Sequence, residues 1–94
     1  MATYPEEQRL ALAGPRELTL YTSAGCHLCE EAKAALEPLV HEFGLTLREV
    51  NVNDDPLLLE RYGQEVPVIF LGARKAAKHK VDVEQLRRRI TNAV

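Results

Sequence analysis

The residues best suited to chemistry are Cys26 and Cys29, in the stretch Cys26-His27-Leu28-Cys29. They are the two cysteines of the chain and stand three positions apart. At that spacing two side chains share one side of a helical turn, within reach of one another. Such a pair can cycle between dithiol and disulfide and exchange electrons with another disulfide. The surroundings favour this use. A short apolar run, Leu18-Thr19-Leu20-Tyr21, leads through Thr22-Ser23-Ala24-Gly25 to the cysteines, and a helical pattern follows from Glu30 to Phe43. The pair therefore falls at a helix start, where unpaired N–H groups and the positive end of the helix dipole stabilise a thiolate.

Other uses of two cysteines fit less well. A disulfide that closes so short a loop removes only about 2 kcal/mol of chain entropy, a weak staple. A tetrahedral zinc site needs two more ligands, from among His27, His41 and His79; His27, between the cysteines, points away from a metal they would share. An iron–sulfur cluster bridging two chains stays open, and a visible absorption band after anaerobic purification would mark it. A more acidic thiol is more often ionised but less nucleophilic, so the larger gain is in its quality as a leaving group. A protonated His27 would assist a thiolate at Cys26, whereas Glu30, four residues on, would oppose it if it faced the sulfur.

The elements that must position the pair can be read in order. Residues 1–15 form a leader, either a short helix begun by Pro5 or a loosely held tail; the domain proper is 16–94. Glu17 to Tyr21 reads as a buried first strand. In the helix after the cysteines, Leu28, Ala32, Leu36, Leu39, Val40 and Phe43 fall on one face, Pro38 predicts a kink, and Gly44 a stop. Leu45 to Val52 is the second strand. Asp55 then caps a short helix with Pro56 at its first position, ending at Gly63. Val66 to Leu71 is the third strand, Gly72-Ala73 a hairpin turn, and Arg74 to His79 a weak fourth strand whose basic run suits a protected sheet edge. Asp82 and Gln85 open the last helix as a capping box. These pieces make an α/β fold: a four-stranded mixed sheet with helices on both faces.

Composition narrows the setting. With 94 residues and 46% hydrophobic content the chain makes one globular domain. A net charge of −2 gives no electrostatic footprint for nucleic acid. No apolar run reaches membrane-spanning length, and the first residues lack the pattern of a signal peptide. A cytoplasmic monomer is expected, in a compartment where a lasting structural disulfide is rare.

Taken together, the run Leu18-Thr19-Leu20-Tyr21 before Cys26-His27-Leu28-Cys29, the pair Val66-Pro67 before a strand, and the element order from Glu17 onward resemble the thioredoxin superfamily, and within it the small glutaredoxin-like proteins. The resemblance implies a thioredoxin-like fold and thiol–disulfide exchange. Cys26 would be the attacking thiolate and Cys29 the resolving thiol, the two forming a redox disulfide. Pro67 would be cis, and the backbone of Val66 would pair with a substrate beside Cys26; His27 would flank the same site. No cofactor is required, and glutathione is available as a reductant. The partner would be a disulfide-containing protein or a small-molecule thiol. A non-catalytic binding module of the same fold and an iron–sulfur cluster carrier are the alternative readings. The chain also departs from the family: it has no proline between the cysteines and no tryptophan, and Ser23, Glu65 and Lys78-His79 replace a lysine, a threonine and a Gly-Gly pair that help hold glutathione. Weak activity with glutathione mixed disulfides is therefore expected.

Overall fold

The computed structural model describes residue 14 and residues 16–93, so the expected leader lies outside the described residues except for Gly14. The elements run β1 (Glu17–Thr22), α1 (His27–Phe43), β2 (Thr46–Asn51), a 3-10 turn (Val52–Asp54), α2 (Pro56–Tyr62), β3 (Val68–Leu71), β4 (Arg74–Lys78) and α3 (Val83–Ala93). The four strands form one mixed sheet in the order β2-β1-β3-β4. β1 and β2 are parallel, β3 runs antiparallel to β1, and β4 antiparallel to β3.

Strand alternation sorts the core into two layers. Leu18 and Leu20 of β1, with Ile69 and Leu71 of β3, pack against Ala32, Leu36 and Leu39 of α1 and Leu86 and Ile90 of α3. Tyr21 of β1, with Val68 and Phe70 of β3, packs on the opposite face against Val52 and against Leu58 and Tyr62 of α2. Helices thus cover both faces, as the sequence pattern predicts. Arg87 of α3 pairs with Glu42 of α1 and ties the two helices of the first face together; this bond, before the Glu42 charge, raises the Arg87 pKa. Among the described residues no helix is long and apolar enough to cross a membrane.

The helix ends follow local chemistry. Gly44 closes α1 in the left-handed region, φ 64°, which costs a glycine nothing. Asp55 Oδ1 accepts from the Leu57 N–H at 2.9 Å and caps α2, with Pro56 at its first position. Asp82 Oδ1 accepts from the Gln85 N–H at 3.1 Å and opens α3.

Three of the boundaries that differ from the sequence reading have a local cause. β3 begins at Val68 rather than Val66, because the Val66–Pro67 peptide bond is cis and turns the chain before the ladder starts. β2 stops at Asn51, whose side chain accepts from the Asn53 N–H at 2.9 Å and turns Val52 into the core. β4 stops at Lys78, since His79 has φ 63°, outside the extended region. α1 meanwhile continues through Pro38 to Phe43 as one element of 17 residues. Pro38 and Ala34 are both exposed, so water can serve the carbonyl that proline leaves without an N–H.

Candidate active site

The sheet register gathers the candidate residues at one end. Tyr21, near the close of β1, pairs with Val68 at the start of β3, and Val68 pairs with Lys78 at the close of β4. The link to the cysteines, the Val66–Pro67 bond and the exit of β4 therefore emerge from the same end of the sheet.

Gly25, at φ 73°, turns the chain out of that link. Cys26 follows as the N-cap of α1, in extended conformation. Its backbone N–H donates to the Ser23 carbonyl at 3.2 Å, and its own carbonyl accepts from the Glu30 N–H at 3.3 Å. Its Sγ accepts from the Cys29 N–H at 3.2 Å, so the sulfur takes the place of a capping oxygen and satisfies an orphan helix donor. The two Cα atoms are 5.2 Å apart and the sulfurs are joined in a disulfide. Exposure separates the partners: Cys26 is half-buried, whereas Cys29 retains 3% of its surface. The Ser23 hydroxyl accepts from Asn53 Nδ2 at 3.0 Å, which fastens the link to the 3-10 turn after β2. His27, the first residue of the helix, is exposed.

The second wall hangs from α2. The Tyr62 carbonyl accepts from the N–H groups of Glu65 at 2.8 Å and Val66 at 3.0 Å. Pro67 is buried and Val66 half-buried. The Pro67 carbonyl accepts from the His79 N–H at 2.8 Å, which joins this loop to the exit of β4. Across from it, a groove of about 200 Å³ runs between Leu28, Glu31, Ala32 and Ala35 of α1 and His79, Lys80 and Val81. Leu28 is 42% exposed at its mouth.

Charge collects on this second wall. Glu65 Oε1 lies 3.2 Å from Lys78 Nζ and 3.9 Å from Lys75 Nζ. The hydrogen bond from Lys78, and then the charge of Lys75, hold the Glu65 carboxyl below its ordinary value of 4.5. Among the described residues no three histidine, cysteine or carboxylate side chains converge as a metal site.

The profile of the Glutaredoxin-like domain (DUF836) matches residues 17–91. The chain belongs to that family, within the thioredoxin superfamily. A solution structure of protein Ne2328 from Nitrosomonas europaea is 31% identical, with a TM-score of 0.67 over 77% of this chain and 87% of that one. A crystal structure of a protein from X. campestris is 32% identical, with a TM-score of 0.66 over 82% of this chain and 99% of that one. The buckwheat glutaredoxin–glutathione complex is 17% identical, with a TM-score of 0.59 over 94% of this chain and 86% of that one, a likeness of fold. For this glutaredoxin-like chain the fold therefore carries a C-x-x-C pair at disulfide distance.

The sequence reading named Cys26, Cys29, His27, Val66 and Pro67. The cysteines are bonded to each other, and Val66 and Pro67 reach the same sheet end through the register. His27 flanks the pair but faces solvent. Two features went unseen in the sequence. One is the Asn53–Ser23 bond, for which no local pattern exists. The other is the grip of Glu65 on Lys75 and Lys78; an acid before Val-Pro and a basic strand after a two-residue turn were its signal.

Proposed function

We propose that the protein is a thiol–disulfide oxidoreductase that reduces disulfides of proteins or small molecules through Cys26 and Cys29. The observation that carries this reading is the asymmetry of the pair: Cys26 caps the helix and is half-buried, and Cys29 lies one turn in, almost without exposure. In the reduced protein the Cys26 thiolate attacks one sulfur of a substrate disulfide. A Cys26–substrate disulfide forms and the other substrate half leaves as a thiolate. Cys29 then loses its proton and attacks Cys26 Sγ, forming the Cys26–Cys29 disulfide and releasing the second half. Two electrons and two protons pass from the dithiol to the substrate. The Cys29 N–H that points at Cys26 Sγ in the oxidised form is placed to stabilise the Cys26 thiolate that makes the first attack in the reduced protein. A thiol reductant restores the dithiol; glutathione is the small-molecule candidate, and the fold is shared with a glutaredoxin that takes it. Val66, held half-exposed beside buried Pro67, offers backbone to an extended substrate segment.

The two cysteines separate under substitution. Cys26→Ser should abolish reaction with every disulfide. Cys29→Ser should still attack once and then accumulate as a mixed disulfide, visible as an added mass that a reductant removes. Accumulation in Cys26→Ser instead, with Cys29→Ser inert, would reverse the roles and remove the basis of this mechanism.

A further inference from the structure

We propose that Glu65 is a built-in counter-anion that selects against disulfides bearing carboxylates near the sulfur, and so directs the site toward neutral or basic partners. The inference rests on the redox reading above and deepens it. Glu65 stands immediately before Val66 and Pro67, and its carboxylate bridges the ammonium groups of Lys78 at 3.2 Å and Lys75 at 3.9 Å. The Lys75 ammonium also lies over the Tyr62 ring, 5.8 Å from its centroid. Both lysines come from β4, whose exit is joined to Pro67 by the His79 N–H and lines the groove that Leu28 borders. The cluster thus flanks the Val66–Pro67 loop, at the sheet end from which the cysteine link also emerges.

The basic run of β4 would otherwise be an inviting surface for an acidic thiol. Glu65 occupies it first. A substrate carboxylate approaching along Pro67 meets ammonium groups already paired, and a carboxylate of its own sign between them. To bind them it must displace Glu65, which remains tethered within a few atoms and repels it. Glu65 stays ionised across the neutral range, because Lys78 and Lys75 favour its charged form. A neutral or cationic partner meets no such competition. This assigns the acid before Val66 a role in choosing substrates, whereas the lysines alone would favour the opposite choice.

The test uses the reduced full chain and three symmetrical disulfides in excess: oxidised glutathione (anionic), bis(2-hydroxyethyl) disulfide (neutral) and cystamine (cationic). In each, the dithiol becomes the Cys26–Cys29 disulfide and two small thiols are released. The rate is read by trapping the remaining protein thiols. Glu65→Gln should raise the ratio of the glutathione rate to the neutral-disulfide rate by about five-fold, the scale of an exposed ion pair, and should lower the cystamine ratio. Added salt should shrink both changes. Lys78→Gln placed on Glu65→Gln should return the glutathione ratio toward wild type. Equal changes with all three disulfides, or an unchanged glutathione ratio, would mean that Glu65 only braces the loop and would overturn the proposal. Failure of all three to oxidise the wild-type chain would refute the redox reading, and this proposal with it.

Discussion

On one face of the sheet, Leu18, Leu20, Ile69 and Leu71 meet two helices through Leu36, Leu39, Leu86 and Ile90; on the other, Tyr21, Val68 and Phe70 meet the seven-residue α2 through Leu58 and Tyr62. The first face is aliphatic and fully closed around Leu36, Leu39 and Ile90. The second is aromatic: the Tyr21 and Tyr62 rings stack at 4.7 Å, and the Phe70 ring meets them edge-on at 5.7 and 6.1 Å. Each face carries one wall of the candidate site. α1, on the first, bears both cysteines; α2, on the second, suspends Glu65 and Val66 from the Tyr62 carbonyl. A broad aliphatic contact holds the cysteines, and a small aromatic contact holds the loop before Pro67 that, in the proposal above, meets the partner. The difference suggests a division of labour: stability resides mainly in the first face, and partner choice in the second.

The strongest way to break that division is on the first face. Leu36→Ala removes a side chain with no exposure at the centre of the aliphatic layer and should cost about 2–5 kcal/mol of unfolding free energy, measured by urea titration of the oxidised protein. A cost below that of any change on the second face would show that the larger layer is not the main source of stability. Tyr62→Leu keeps the apolar body but loses two ring contacts, and should cost about 1–3 kcal/mol. At a temperature where both variants are folded, it should slow exchange with a protein disulfide more than Leu36→Ala does, because the Tyr62 ring fixes the end of α2 whose backbone carbonyl holds the loop before Pro67. The reverse order would place partner binding on the first face.

The caps sharpen the comparison. Asp55→Ala at α2 and Asp82→Ala at α3 each remove one side-chain bond to a helix N–H and should each cost about 1 kcal/mol. Equal costs would show that capping is local and that the faces differ through packing. A much larger loss at Asp55 would mean that α2 depends on its cap because it has so little core beneath it. The smallest effect is in pH. The Glu65 carboxyl is depressed by Lys78 and Lys75, so its contribution to stability is fully present above its ordinary value of 4.5 and is lost as pH falls through the depressed folded value. Glu65→Gln should therefore differ slightly from wild type in urea at pH 7, and the difference should shrink as acid protonates Glu65. A difference that persists in acid would have to come from packing or hydrogen bonding that survives protonation.

Much of this protein follows from sequence alone. The spacing of Cys26 and Cys29 at a strand-to-helix junction, the helical stripe through Ala32, Leu36 and Leu39, and the cap signals Asp55-Pro56 and Asp82 are local patterns, and local geometry obeys them. The short apolar strands and the element order predicted a mixed sheet with helices on both faces. What chain-local rules could not supply is which residues meet across the sheet end. The one-residue register that sets Tyr21 against Val68, and Val68 against Lys78, depends on both faces being filled at once. That register carries His79 to the Pro67 carbonyl, and places Lys75 and Lys78 around Glu65. It turns a basic edge strand and an acid, unremarkable apart, into a charged wall beside a thiol pair. Packing decided this, because long-range pairing is settled by the shape of the closed core and leaves no periodic mark in the sequence.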